Sequence, residues 1–562
     1  MKQSRVLSFS ASLAVTAIIS WLFWPATEGK FLTQMDDDEY LRKAAEYGGL
    51  SLAAMKWAFT TTEPYYHPLP RLSHVAMYQV FGANPRAHHL VNVLLHAFNA
   101  GLLVGFVETL LAVAGWPATG RRLWTAVGVG SVFGIHPLHV ESVAWVAGRT
   151  TLLCAFLFVS CLWTYVHTTR SVHRRAWWWA TVALFVGALL AKPMAISIPF
   201  VMLAMDYYPL NRYRQLGWWP PFKEKAALVG IGAAVTFLTI LMESRVGMLV
   251  GTEWLSPLQR LLLACRSLVF YIWKTLWPAW LSPFYPFETG ASLVHKEFAW
   301  SALIVALLTW ICWRCRDRHP EGLAAWWAYA ALILPSSGLA QAGSQAVANR
   351  YAYLAMVPVL LIVMTGLDTV GRRVSVFGRS VLVVLLGFYA LFLAVRTRAE
   401  IPVWHDDITL WTTALSYFPD SEVARRMLGH GYCELAMKLV EQQHFDEALP
   451  HVMQTLELSP AYPLGHATLG VIYLKTKRYS EAATCLQQAL QLDPTLGAAR
   501  YNLACAYARL GKPAEAYATL RELLKTQPRF AGLAARDVEL TALRNSSEYA
   551  QRFRELLAVA KK

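Results

Sequence analysis

Eleven apolar stretches, each near the length that crosses a bilayer, constrain this chain more than any other feature. They lie near 6–24, 88–113, 121–136, 144–168, 176–191, 193–209, 225–243, 298–314, 323–340, 351–368 and 380–397. A hydrocarbon core about 30 Å thick needs about 20 residues of helix, so the shorter stretches must borrow flanking residues. The 562 residues are 56% hydrophobic and only 15% charged, the balance of a polytopic membrane protein. A net charge of +15 could suggest nucleic acid. The basic residues, however, sit in short clusters between apolar spans, as membrane topology requires, and no nucleic-acid partner is expected. The eight cysteines are scattered, with Cys154, Cys161 and Cys265 inside apolar runs. Cys312 and Cys315 form a lone C-x-x-C, and neither a disulfide framework nor a zinc spacing is present. Lys2 and Arg5 precede the first apolar run, as in a signal peptide. No small-residue cleavage site follows, so an uncleaved first span is expected.

Charge then orients the spans. Basic clusters occur at Arg121-Arg122, at Arg170 with Arg174-Arg175, from Arg212 to Lys225, from Arg314 to Arg318, and at Arg372-Arg373 with Arg379. With Lys2 and Arg5 inside, eleven spans put every cluster inside and the C-terminus outside. Leu258 to Trp280 is apolar enough to span, but a crossing there would break this pattern, and it carries Arg260, Arg266 and Lys274. It is expected to be re-entrant or interfacial, with Arg266 and Lys274 at headgroup depth. The large loop 25–87 falls outside. On the same face lie the triplet Asp36-Asp37-Asp38, the stretch from His136 to Glu141, Lys192 and the segment around Arg350.

After residue 398 the composition becomes that of a soluble helical protein. Phe445-Asp446-Glu447-Ala448, Tyr479-Ser480-Glu481-Ala482 and Pro513-Ala514-Glu515-Ala516 recur every 34 residues, as do Pro460, Pro494 and Pro528. This is the tetratricopeptide period and pattern, in which a small Ala lets paired helices approach and Pro stops the second helix. Units are expected near 429–462, 463–496 and 497–530, with a degenerate unit before 421 and a capping helix over 531–562. The fold class is thus all-α, a multi-pass membrane domain over 1–398 followed by a repeat solenoid over 399–562.

Several residues on the outer face could carry chemistry. Three adjacent carboxylates repel one another, and at least one pKa should rise; a general base, a metal site and a solvated loop are all open. His136-Pro137-Leu138-His139-Val140-Glu141 is dense in titratable groups, although Pro137 makes a helical metal pair at His136 and His139 doubtful; shaping a pocket is the better use. His67, His74, His88 and His89 add imidazoles to the same face. Lys192, before Pro193, either snorkels or binds phosphate. Arg350, followed by Tyr351 and Tyr353, suits a phosphodiester because its planar fork donates two hydrogen bonds at once.

These stretches together resemble the transmembrane and tetratricopeptide-repeat O-mannosyltransferases and their bacterial relatives, multi-pass glycosyltransferases of the GT-C class. The resemblance covers nearly the whole chain. It rests on Met35-Asp36-Asp37-Asp38, on His136 to Val143 with Gly148-Arg149, on Ala191-Lys192-Pro193, and on Asn349-Arg350-Tyr351-Ala352-Tyr353-Leu354. Met35 stands where the family has an aromatic residue, and Thr150-Thr151 where animal members have Ala-Asp. The resemblance implies inverting transfer of a sugar from a polyprenyl-phosphate donor to Ser or Thr hydroxyls of a protein, outside the cytoplasmic membrane. It implies Asp36 or Asp37 as catalytic base, with Asp38 third. Arg350, Lys192 and Arg266 would hold the donor phosphate, and His136, His139, Glu141, Arg149 and Tyr353 would line the substrate pocket. No metal or other cofactor is expected, and the repeats would bind the acceptor protein. Two other functions fit less of the chain: a GT-C enzyme acting on a glycan or lipid, and a non-enzymatic scaffold for envelope or pilus assembly.

Overall fold

The computed structural model describes residues 2–61, 66–118, 120–245, 256–287, 296–339 and 345–560. They divide into two compact units, Met1–Phe418 and Pro419–Lys562. The first unit is a succession of helices: α1 (Lys2–Phe23), α2 (Asp37–Tyr47), α3 (Leu52–Thr60), α4 (Pro68–Phe81), α5 (Pro85–Val113), α6 (Gly120–Gly134), α7 (Val140–Ala144), α8 (Arg149–Arg170) and α9 (Arg174–Ala191). There follow α10 (Ile198–Tyr207), α11 (Arg212–Leu216), α12 (Trp219–Arg245), α13 (Pro257–Leu276), α14 (Lys296–Arg314), α15 (Pro320–Ile333), α16 (Ala352–Arg373), α17 (Val376–Glu400) and α18 (Asp407–Tyr417). One two-stranded antiparallel sheet, β1 (Tyr285–Pro286) with β2 (Gln345–Val347), pairs Tyr285 with Val347.

Each of the eleven apolar stretches is built around a helix; the last residue of 323–340 lies outside the described residues. Among the described residues seven helices are long and apolar enough to cross a membrane alone. They are Val6–Glu28, Pro85–Val113, Val146–Arg170, Trp219–Leu241, Lys296–Arg314, Asn349–Arg373 and Val376–Trp404. An eighth arises if Gly120–Gly134 and Pro137–Ala144, bent by 51° where Pro137 cannot donate, form one broken span. The other three differ from the expected spans for physical reasons. α9 begins with two arginines, while α10 and α15 have 10 and 14 residues. At 1.5 Å per residue these two fall well short of a core about 30 Å thick.

The stretch expected to lie in the interface becomes α13. It opens on a capping box, Ser256 with Gln259. Leu263, Ala264, Ser267, Leu268, Tyr271, Lys274 and Thr275 form its buried stripe, the helical spacing of an amphipathic segment. Lys274 turns inward and donates to the carbonyls of Ala279 and Trp280, at 2.6 and 2.9 Å.

A buried charge cluster ties α8, α10 and α12 together. Asp206 accepts from Tyr165 and Lys225, each at 2.5 Å, and from Arg212 at 3.3 Å. Asp206 and Lys225 are almost fully enclosed. Asp206→Asn should therefore leave the buried Lys225 ammonium only Glu224, 3.8 Å away, as counter-charge and cost about 3–5 kcal/mol. Thermal unfolding in detergent would check this, and an unchanged midpoint would show that water reaches the cluster.

The second unit holds three helix pairs: α19 (Glu422–Glu441) with α20 (Phe445–Leu458), α21 (Pro463–Lys475) with α22 (Tyr479–Leu492), and α23 (Gly497–Arg509) with α24 (Pro513–Thr526). The 34-residue period reappears in the backbone, since Gln443, Lys477 and Gly511 all have positive φ (65°, 63° and 73°) in equivalent turns. Close approach explains Gly470, where a Cβ would lie 2.6 Å from the Leu486 side chain. Two expectations are corrected here. The segment 531–562 is not one capping helix: its described part forms α25 (Ala531–Arg536), α26 (Thr541–Arg544) and α27 (Ala550–Ala560), with Phe553 buried in the terminal core. Residues 399–418, read as the start of the repeat domain with a degenerate unit, belong to the first unit instead. Asp406 and Asp407 hold them to the first loop.

Candidate functional site

Arg350 is delivered to the site by a rigid approach. β2 leads into Ala348, whose N–H donates to the Tyr271 hydroxyl while its carbonyl accepts from it, both at 3.0 Å. Asn349 donates to the Ser282 carbonyl at 3.0 Å and accepts from the Tyr285 hydroxyl at 3.1 Å. The Arg350 backbone N–H then donates to Glu141 Oε2 at 3.1 Å, and its guanidinium pairs with Glu141 Oε1. Glu141 is buried on α7, just past the bend at Pro137. The guanidinium lies 5.5 Å from the Trp145 ring centre and 5.0 Å from that of Tyr351.

Lys192 joins from α9. The helix stops there because Pro193 disfavours helical backbone in the preceding residue, and Lys192 is extended (φ −160°). Its ammonium donates to Thr151 Oγ1 at 2.9 Å and lies 5.7 Å from the Tyr351 ring centre. Burial lowers its pKa to about 8, with the Arg350 charge acting in the same direction. Tyr351 thus has a cation within 6 Å from each of two elements, an electropositive spot suited to a phosphate.

The acidic triplet separates into three environments. Asp37 is fully buried and accepts two backbone N–H groups, Leu32 at 2.9 Å and Ala147 at 2.8 Å. It therefore clamps the first loop to the segment after His136–Glu141. Burial pushes its pKa up to about 7; the two N–H donors pull it down, and Asp36 and Asp407 push it further up. Asp38 is exposed in the first turn of α2, where a carboxylate complements the helix dipole. Asp36 stands between these extremes. It occupies the N-cap position without capping, is partly exposed, and its carboxylate accepts no hydrogen bond from a described residue. Burial raises its pKa, opposed by Arg350 and helped by Glu39. The loop ahead is pinned by α18: Thr33 and Gln34 donate backbone N–H groups to Asp407 at 2.9 and 3.2 Å, and Lys30 pairs with Asp406 at 3.1 Å.

The other predicted site residues have defined places. His136 accepts from Leu138 N–H at 3.3 Å and bonds the Thr275 carbonyl at 3.1 Å, shaping the bend. Arg149 is fully buried and spends its guanidinium on Asn92 (2.9 Å), the His88 carbonyl (2.7 Å) and Ser73 (3.4 Å). His139 is enclosed among Phe133, His96 and Tyr353, with ring centres 4.4 to 5.3 Å away. The Tyr353 hydroxyl bonds His96 Nδ1 at 2.7 Å and accepts from Asn99 at 3.3 Å. Arg266 lies 5.5 Å from the Phe298 ring centre, on α13, with no contact to the group around Arg350 among the described residues. The arrangement thus brings Asp36, Glu141, Lys192 and Arg350 together and places His136, Arg149 and Tyr353 in the framework behind them.

Sequence reasoning named His89 but missed the stripe it begins. His89, Asn92, His96 and Asn99 run along one face of α5 and are buried. Asn92 alone donates to the carbonyls of Val143, Trp145 and Val146, at 3.4, 2.9 and 3.2 Å. A polar stripe at helical spacing within an apolar span was the available signal. Among the described residues no three His, Cys, Asp or Glu side chains gather in a metal-binding group.

Comparison with known proteins adds the lineage. Tetratricopeptide-repeat models match residues 463–496 and 485–518. Protein O-mannosyl-transferase TMTC2 of Mus musculus is 33% identical over 153 residues, covering 26% of this chain and 17% of that protein. Protein O-mannosyl-transferase TMTC4 of Homo sapiens is 29% identical over 167 residues, 28% of this chain and 22% of its own length. Protein O-mannosyl-transferase TMTC1 of Homo sapiens is 23% identical over 468 residues, 74% of this chain and 50% of its own length. That last match is longer than the whole second unit, so it takes in membrane-unit sequence as well. Relatives of this chain thus include proteins named as TMTC protein O-mannosyl-transferases. The chain covers less than a fifth of TMTC2 and half of TMTC1.

Proposed function

We propose that this chain is a membrane glycosyltransferase that moves a sugar from a polyprenyl-phosphate donor to Ser or Thr hydroxyls of proteins. The observation that carries the reading is the division within the acidic triplet: Asp37 is consumed as a backbone clamp, whereas Asp36 keeps a carboxylate that no described residue hydrogen-bonds, within the field of Arg350. Asp36 takes the proton of the acceptor hydroxyl as its oxygen bonds to the anomeric carbon from the face opposite the phosphate. The bond from that carbon to the phosphate oxygen breaks, and configuration inverts. Arg350 and Lys192 stabilise the charge gathering on the departing polyprenyl phosphate. Glu141 keeps the Arg350 fork oriented, and Tyr351 separates the two cations. With two cations of its own at the phosphate, the proposed reaction takes no metal. Arg266, facing Phe298, takes no part in it.

The reaction is assigned to the outer side of the cytoplasmic membrane, with the repeats presenting acceptor protein there. In support, Asp406 and Asp407 at the start of α18 bond Lys30 and Thr33, so the chain beyond α17 returns to the loop that carries Asp36. Intact-mass spectrometry of envelope proteins, with and without this protein, tests the reading. An added hexose, pentose or deoxyhexose that depends on Asp36 supports it and names the sugar class. An unchanged protein spectrum with an altered envelope glycan would instead favour a glycan acceptor.

A further inference from the structure

The first unit contains a large apolar cavity of about 890 Å³. α16 lines it at three- and four-residue intervals, from Leu354 through Leu361 and Thr365 to Arg372. That stretch of helix rises about 27 Å, close to the thickness of a bilayer core. One end, at Leu354, immediately follows Tyr353 in the chain. The other lies at the far end of α16, where Arg121 and Arg372 form the rim.

The edge of the rim formed by α6 and α16 is basic by its pairing. Arg121 and Arg372 approach the same carboxylate, Asp368, at 2.7 and 3.3 Å, so two guanidiniums share one negative charge. Neighbouring Arg122 has its own partner, Glu108, at 3.1 Å. The acid on the rim, Glu321 of α15, lies 3.0 Å from His319 and, among the described residues, pairs with neither arginine. Arg121 also lies 4.8 Å from the ring centre of Trp116, a residue type that favours the headgroup level. A basic rim over an apolar cleft between membrane helices matches the chemistry of an anionic lipid, headgroup on the arginines and chains in the cleft.

We propose that this cavity holds one anionic phospholipid, its phosphate on Arg121 and Arg372 and its chains along α16. The phosphate position, on Arg121 and Arg372, lies at the end of α16 opposite Arg350. Native mass spectrometry of the full chain, purified and delipidated in mild detergent, tests it with phosphatidylglycerol and phosphatidylcholine of matched chains. The expected result is one retained phosphatidylglycerol, preferred about tenfold over phosphatidylcholine. R121Q with R372Q should bring that preference to within about twofold. Gly366→Trp should abolish retention of both lipids, because Gly366 lines the cavity and a Cβ there meets nothing within 4 Å. Equal retention of the two lipids by the unaltered protein would overturn the proposal. So would an unchanged preference in the double variant, or unchanged retention in Gly366→Trp.

Discussion

Asp36→Asn is expected to lower acceptor glycosylation by about 10²–10⁴-fold, the range of a lost general base, with no loss of thermal stability. Asp37→Asn is expected to do the opposite in kind. Its amide would turn an N–H₂ group toward a backbone donor, either Leu32 or Ala147, in a site without solvent. Leaving a buried donor unsatisfied costs about 1–3 kcal/mol, and activity should fall only as far as the folded population does. Acceptor-mass assays and thermal unfolding of the two variants separate the roles. A stable, inactive Asp37→Asn beside an active Asp36→Asn would reverse the assignment.

The same two residues predict pH effects of different sign. As a base Asp36 works when ionised, so kcat/KM should rise with pH through a carboxylate pKa above the ordinary 3.8. Asp37, raised from 3.8 to about 7, favours the protonated form in the fold. Its contribution to stability is complete below about 3.8 and is lost as pH rises toward 7. Unfolding midpoints measured across that window should flatten in Asp37→Asn, which has no proton to lose there.

Glu141→Gln carries the second large effect, a loss of about 3–5 kcal/mol. It removes the ion-pair partner of the Arg350 guanidinium, which is 17% exposed and set against Trp145, and leaves only the more distant Asp36. Replacing both residues, Glu141→Gln with Arg350→Gln, should recover part of that loss, because neither charge is then stranded. A double-mutant cycle on unfolding free energies measures the coupling, and additive losses would show that the pair is not linked in the folded protein. Transfer activity should remain absent in the double variant, since the phosphate would have lost the fork of Arg350.

Much of this architecture could be read locally. Runs of apolar residues predict helices because a bilayer or a core rewards the same contiguous pattern wherever the chain goes. The 34-residue recurrence of small and large positions predicts helix pairs because each repeat packs chiefly on its neighbours. Asp36, Glu141, Lys192 and Arg350 were legible as candidates because charged groups are conspicuous at the ends of apolar spans. The short helices were harder. α10 and α15 carry span-like composition yet stop early, at Tyr207 and Ile333.

What the sequence by itself determined was the helical class, the repeat period and the set of polar residues from which a site had to be drawn. Tertiary structure decided their roles. Asp36 and Asp37 are adjacent carboxylates with nothing local to tell them apart. They differ because Ala147, 110 positions away, brings its N–H to one and Arg350 brings its charge to the other. Arg149, expected to line the substrate pocket, has its donors taken up by Asn92 and the His88 carbonyl. Asp407, beyond the last membrane helix, turned out to hold Thr33, 374 positions earlier. Composition and periodicity are properties of neighbours along the chain, whereas a carboxylate's hydrogen-bond partners and charge field come from whatever the fold packs against it.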